Sequence, residues 1–113
     1  MNAKLTAAQK RWQEQVRELG SILTGGPAEI HHPIGAKGKH NKLLIGPWWI
    51  VPLTTEEHKA LHANDEAILT DPIGVKMTRK EFEKWAFGRV LSKIDAQDWP
   101  ALEYIEAIEG YHR

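Results

Sequence analysis

The chain has 113 residues, with 15 Lys and Arg balanced by 15 Asp and Glu, five Trp and no Cys. That length predicts one small domain with a limited core, to which the tryptophans contribute much, and the zero net charge argues against a general electrostatic affinity for nucleic acid. The absence of cysteine excludes disulfides and every thiolate zinc site, so any metal must be held by histidine and carboxylate.

Thr6-x-x-Gln9 is a capping box, and Ala8, Trp12, Val16 and Leu19 recur at helical spacing up to Gly20, which predicts an N-terminal helix packed through Trp12. Gly25-Gly26-Pro27 is a turn that leads into Ala28-Glu29-Ile30-His31-His32, a short strand stopped by Pro33. A loop rich in Gly, Lys, His and Asn follows, and Trp48 to Val51 is predicted to return antiparallel to the first strand. Its basic cluster makes residues 31–62 the positive part of the chain: regional charges are +1 for 1–30, +2 for 31–62 and −3 for 63–113. Thr54-x-x-Glu57 is a second capping box, and the helix it opens carries His58 and His62 one turn apart on one face. Asp71 to Gly74 reads as a turn. Thr78-x-x-Glu81 is a third capping box, opening a helix with Phe82, Trp85, Val90, Leu91 and Ile94 on its apolar face. A last helix is expected from about Asp98 and Pro100 to Gly110, burying Leu102, Ile105 and Ile108. Trp12, Trp85 and Trp99 are expected in the core, together with one of Trp48 and Trp49. No apolar run approaches the roughly 18 residues of a membrane span, and the N-terminus lacks the apolar stretch of a secretory signal, so a soluble cytoplasmic protein is expected.

Four of the six histidines lie at the end of the first strand and on the helix that Thr54 opens. Imidazoles at i and i+4 on a helix can share one divalent ion, and a third ligand can come from the end of the neighbouring strand. Three protein ligands leave a position open for water or a phosphate oxygen, as in catalytic sites. The fourth histidine is then available as a general base near neutral pH.

The His31-His32 pair, the Gly- and Lys-rich loop, the Val51-Pro52-Leu53 strand exit and His58-x-x-x-His62 together resemble the HNH, or ββα-metal, endonuclease superfamily, in particular its phage- and prophage-associated recombination nucleases. The resemblance covers about residues 20–63. It implies a small ββα-metal core of hairpin plus helix at 21–63; with the N-terminal helix in 1–20 and the helical region at 64–113 read from their own spacing, outside the resemblance, the expectation is an α+β fold in one domain of residues 1–113. The resemblance also implies His31, His58 and His62 as ligands of one divalent ion, and His32 as the general base. Imidazole donors favour zinc or another transition metal, with magnesium also admissible. DNA is the implied partner, contacted through phosphates by Lys37, Lys39, His40, Asn41 and Lys42, in a bacterial host cell if the chain is phage-encoded. Two departures stand out. The paired Cys-x-x-Cys motifs that hold a structural zinc in many relatives are replaced by Ile22-Leu23-Thr24-Gly25 and Thr54-Thr55-Glu56-Glu57, and the superfamily's middle asparagine falls near Trp49.

The leading expectation is therefore a metal-dependent endonuclease cutting DNA phosphodiester bonds by a one-metal mechanism. The alternative is a non-catalytic module, stabilised by metal, that binds nucleic acid or protein within a phage or DNA-processing assembly. A third reading, in which the histidines only pack and cap, predicts that chelators leave stability unchanged.

Overall fold

In the computed structural model, which describes residues 5–33, 45–70 and 74–111, three helices begin in the same way. Thr6, Thr54 and Thr78 each accept from the backbone N–H three residues on, and Gln9, Glu57 and Glu81 each reach back to the N-cap N–H. Each box satisfies two N–H groups that a helix start otherwise leaves without partners. They open α1 (Ala7–Glu18), α2 (Thr55–His62) and α3 (Arg79–Lys93). A 3-10 turn at Ala96–Asp98 then leads into α4 (Leu102–Glu109). Strands β1 (Glu29–His31) and β2 (Val51–Leu53) pair antiparallel, with Glu29 opposite Leu53 and His31 opposite Val51. The fold is a small α+β arrangement in which the hairpin is packed between helices, and no helix of the described residues is long and apolar enough to cross a membrane.

Gly20 ends α1 in the left-handed region at φ +75°. A Cβ there would lie 2.4 Å from the Gly25 carbonyl oxygen, so both conformation and space demand glycine. The loop it starts is closed by Ser21 N–H donating to the Gly26 carbonyl (2.8 Å), and Ile22 N–H donates to the Pro52 carbonyl (3.0 Å). The outer edge of β2 is thereby covered, and Pro52, which has no N–H to give, sits in a strand without cost to the ladder.

The second strand begins later than the sequence suggested, at Val51 rather than Trp48. Ile45 to Trp48 is a turn in which the Trp48 and Trp49 N–H groups both donate to the Ile45 carbonyl (2.9 and 2.8 Å). The Trp48 carbonyl is taken by the indole N–H of Trp12 (2.9 Å), so it has no ladder bond to make. The apolar run from Trp48 carries strand propensity, but the tertiary bond from α1 decides its conformation.

The core gathers Trp12 and Val16 of α1, Trp49, Val51, Leu53, Leu61 of α2, Phe82, Phe87 and Val90 of α3, and Ile108 of α4. Trp48 is half-buried and stacks on Tyr104, with ring centroids 5.4 Å apart. Three expected core residues sit further out. Trp85 is only partly buried, Trp99 is 37 % exposed and Leu102 is 68 % exposed. Trp99 instead caps the end of α3, its indole N–H shared between the Leu91 and Ile94 carbonyls (2.9 and 2.8 Å). Leu102 is the first residue of a two-turn helix and precedes its buried face at Ile105 and Ile108. The turn expected at Asp71 to Gly74 is bracketed by an isolated bridge between Thr70 and Lys76, with Gly74 at φ +89°; residues 71–73 lie outside the described residues.

The loop before β1 and the start of α2 are joined by hydrogen bonds. Ser21 Oγ, on a residue 5 % exposed, donates to Glu57 Oε1 (2.5 Å), and Thr24 Oγ1 donates to Glu57 Oε2 (3.4 Å). The same Glu57 carboxylate accepts the Thr54 N–H (2.9 Å). One side chain thus caps α2 and fastens it to the loop before β1.

Candidate metal centre

On a strand, residues two apart share a face. In β1 these are Glu29 and His31, and their face is turned to α2. His31, 1 % exposed, ends the strand with its Nδ1 3.0 Å from His58 Nε2. Glu29 reaches the far side of the same ring, its Oε1 2.8 Å from His58 Nδ1, and also accepts from Thr55 Oγ1 (3.3 Å). One turn along α2, His62 completes the group. The His58 and His62 ring centroids are 4.8 Å apart, and His62 meets His31 edge to face at 5.4 Å. One nitrogen from each of His31, His58 and His62 lies within 4.8 Å of the others, and three such residues can hold a metal ion. Two ligands of a tetrahedral ion at about 2.0–2.1 Å stand about 3.3 Å apart. The His31–His58 pair is already near that separation, and His62 needs a small side-chain adjustment.

The far nitrogen of His31 leads to α3. His31 Nε2–H donates to Oε2 of Glu83 (2.5 Å), a carboxylate with no solvent exposure. A buried carboxylate needs compensation. Arg79 and Lys80 supply it from the preceding turn, with Nε 3.5 Å from Oε2 and Nζ 3.2 Å from Oε1. Lys80 also donates to the Pro33 carbonyl (2.7 Å) and lies over the Trp49 and Tyr111 rings at 5.4 and 5.6 Å. It therefore anchors the chain just beyond the histidine pair. Trp49, fully buried, donates its indole N–H to the Glu83 carbonyl (3.3 Å) and fixes the turn of α3 that presents the carboxylate.

With Glu83 holding the Nε2–H of His31 and Glu29 holding the Nδ1–H of His58, the two remaining ring nitrogens face each other 3.0 Å apart, and each has only its lone pair to offer. Only a positive species between them, a proton or a metal ion, makes that contact favourable. Carboxylate–histidine pairs of this kind orient metal-binding imidazoles and raise their basicity. The hydrogen bond from His58 holds the Glu29 carboxyl below the usual carboxylate range. His62 is held below its ordinary value first by lost solvation and then by the Arg79 charge, so its ring is neutral and able to donate a lone pair near neutral pH. Burial falls across the group, from His31 through His58 to the exposed His62, which leaves the His62 side open to solvent.

Of the site residues expected from sequence, His31, His58 and His62 converge. His32, exposed beyond the end of β1, is not one of the three converging residues. Lys37, Lys39, His40, Asn41 and Lys42 lie outside the described residues. Sequence reasoning missed Glu29, Arg79 and Glu83. Glu83 carried a signal: it shares a helical face with Ala86, Phe87 and Val90, where an acid is out of place unless paired. No family model, curated protein or solved structure matches this chain.

Proposed function

We propose that the protein is a metal-dependent endonuclease of the HNH, ββα-metal type, hydrolysing phosphodiester bonds in DNA. The observation that supports this reading is the convergence of His31, His58 and His62, two of them backed by carboxylates, beside an open solvent-facing side. The order hairpin, then helix, with ligands at the end of β1 and on α2, agrees with the resemblance in the sequence. His31 through Nδ1, His58 through Nε2 and His62 would hold the ion, which when bound polarises a phosphodiester and stabilises charge on the leaving oxygen. Glu83 and Glu29 keep the first two rings in the tautomer that presents a lone pair. His32, adjacent to the buried ligand, is the proposed base that takes a proton from the attacking water. Lys80 holds the carbonyl of Pro33 and so fixes the chain that carries His32.

The experiment is a plasmid-nicking assay on wild type, His32→Ala and His58→Ala with zinc, magnesium, manganese or nickel. The reading predicts nicking by wild type with at least one ion, lost in both variants and on chelation. Equal background for all three proteins under all four ions would remove the enzyme. A second reading, a metal-stabilised binding module, is favoured by one observation: the position of the superfamily's asparagine is taken by Trp49, whose indole is committed to the core. Tight metal binding without nicking, together with retention of a DNA or protein ligand, would select it.

A further inference from the structure

The three imidazoles do not have equivalent outer partners. His31 and His58 each give an N–H to a carboxylate, which is the arrangement that holds a metal ligand in place. His62 instead has a cation beside it: Arg79 Nη2 stands 3.2 Å from His62 Nδ1 and donates to it. A guanidinium carries five donors, accepts nothing and does not deprotonate, so it cannot serve His62 as the carboxylates serve the other two. Whichever nitrogen His62 offers to an ion, this bond is lost. If Nδ1 coordinates, the lone pair that Arg79 uses goes to the ion. If Nε2 coordinates, the neutral ring keeps its proton on Nδ1, and two N–H groups face each other.

What remains after that loss is a tethered cation at the open edge of the site. Arg79 is the first residue of α3 and its side chain is 32 % exposed. Its Nε, buried and without a hydrogen-bond partner, lies 3.5 Å from the Glu83 carboxylate, so the stem stays in place while the far end is released. We infer that Arg79 is an anion clamp armed by metal loading: once His62 is engaged, its guanidinium takes an oxygen of a phosphate group bound at the open side of the centre. The planar fork suits phosphate oxygens, and the bond is charge-assisted. This rests on the metal-centre and phosphodiester reading above and adds a substrate-contacting residue from α3, outside the hairpin and α2. It also gives the site an order of events. In the metal-free protein Arg79 occupies His62 and is withheld from anions, and in the loaded protein it is available.

The test titrates inorganic phosphate into wild type, Arg79→Met and Arg79→Lys, each with and without one equivalent of zinc. Zinc affinity is measured in parallel by competition with a chromophoric chelator, and folding is checked by circular dichroism. The zinc-loaded wild type is expected to bind phosphate at least about tenfold more tightly than the metal-free protein, and Arg79→Met to lose about ten- to a hundredfold of that affinity. Arg79→Lys, which keeps the charge without the fork and guards against misfolding of the Met variant, is expected to fall between them. Zinc affinity in Arg79→Met is expected to stay equal or to rise, because a competitor for His62 is gone. A merely structural arginine would lower it. Equal phosphate affinity in wild type and Arg79→Met, or zinc affinity falling in step with phosphate affinity, would overturn the inference and leave the metal centre standing. Failure of wild type to bind zinc at all, which the chelator competition reports separately, would overturn the inference, while the nicking assay with the other ions still decides the proposed function.

Discussion

Replacing Glu83 by Gln tests the centre at the group that sequence alone did not reveal. The carboxylate is fully buried, 2.5 Å from His31 Nε2 and 3.2 Å from the Lys80 ammonium. At an effective dielectric of 20 the gross attraction to Lys80 is about 5 kcal/mol, most of it offset by the desolvation of both groups. Removing one partner of a buried pair costs about 3–5 kcal/mol, and the lower end applies because Arg79 and Lys80 are each 32 % exposed and can regain water. The amide oxygen of Gln can still accept the His31 N–H, so the tautomer survives while the charge that raises ring basicity is gone. Loss of such a partner weakens metal binding by about ten- to a hundredfold, and Gln belongs near the tenfold end, with Glu83→Ala near the hundredfold end. The assay is chelator competition for metal affinity, under conditions where circular dichroism shows each variant folded, together with urea unfolding of the metal-free proteins. The reasoning is refuted if Glu83→Gln binds metal as tightly as wild type and loses less than about 1 kcal/mol of stability, since a buried, charge-bearing partner of a ligand cannot be silent in both readouts.

Trp49→Asn, which introduces the residue type found in the superfamily that the sequence resembles, is expected to destabilise by about 3–5 kcal/mol, because it empties a fully buried site and places an amide among apolar groups; urea unfolding measures this, and a loss under about 1 kcal/mol would contradict the packing described. Ser21→Ala removes the hydroxyl that meets Glu57 and is expected to cost about 1.5–3 kcal/mol without changing metal stoichiometry. Thermal unfolding and metal analysis check the two halves of that statement. The folded value of His62 lies below its ordinary 6.5, so the unfolded chain binds the proton first as pH falls. Metal-free stability is therefore full above 6.5 and declines as pH drops through 6.5 toward the folded value. Urea midpoints across that window should show a shallower slope in His62→Gln, and an unchanged slope would exclude His62 as its source.

What the sequence disclosed and what it hid divide along the range of the interactions. The three capping boxes are written within four residues each, and all three open helices where expected. The pairing of His58 with His62 is likewise set by helical spacing, and His31 could be placed because the strand end and Pro33 are local. Glu83 could be placed only in part: an acid on the apolar face of α3 signals a buried pair, but its partner lies 52 positions earlier and the local pattern does not name it. The start of β2 was displaced for the same reason: a bond from Trp12, 36 residues away, takes the Trp48 carbonyl. Helical spacing identified the buried face of α4 through Ile105 and Ile108 but could not tell that Leu102, at its first position, stays in water.

The Ser21–Glu57–Thr24 clasp has a consequence for how the metal can be studied. In the family the sequence resembles, many members fasten these two stretches with a second zinc, so stripping metal from them also removes a structural tie. Here hydrogen bonds supply that tie, and the group at His31, His58 and His62 is the sole cluster of three metal-ligating side chains among the described residues. Chelation is then expected to empty this one candidate centre while leaving the tie between the two stretches in place. Different ions can be loaded into the same apo protein in turn, and the ion preference of the centre can be read as a binding equilibrium separate from the folding equilibrium.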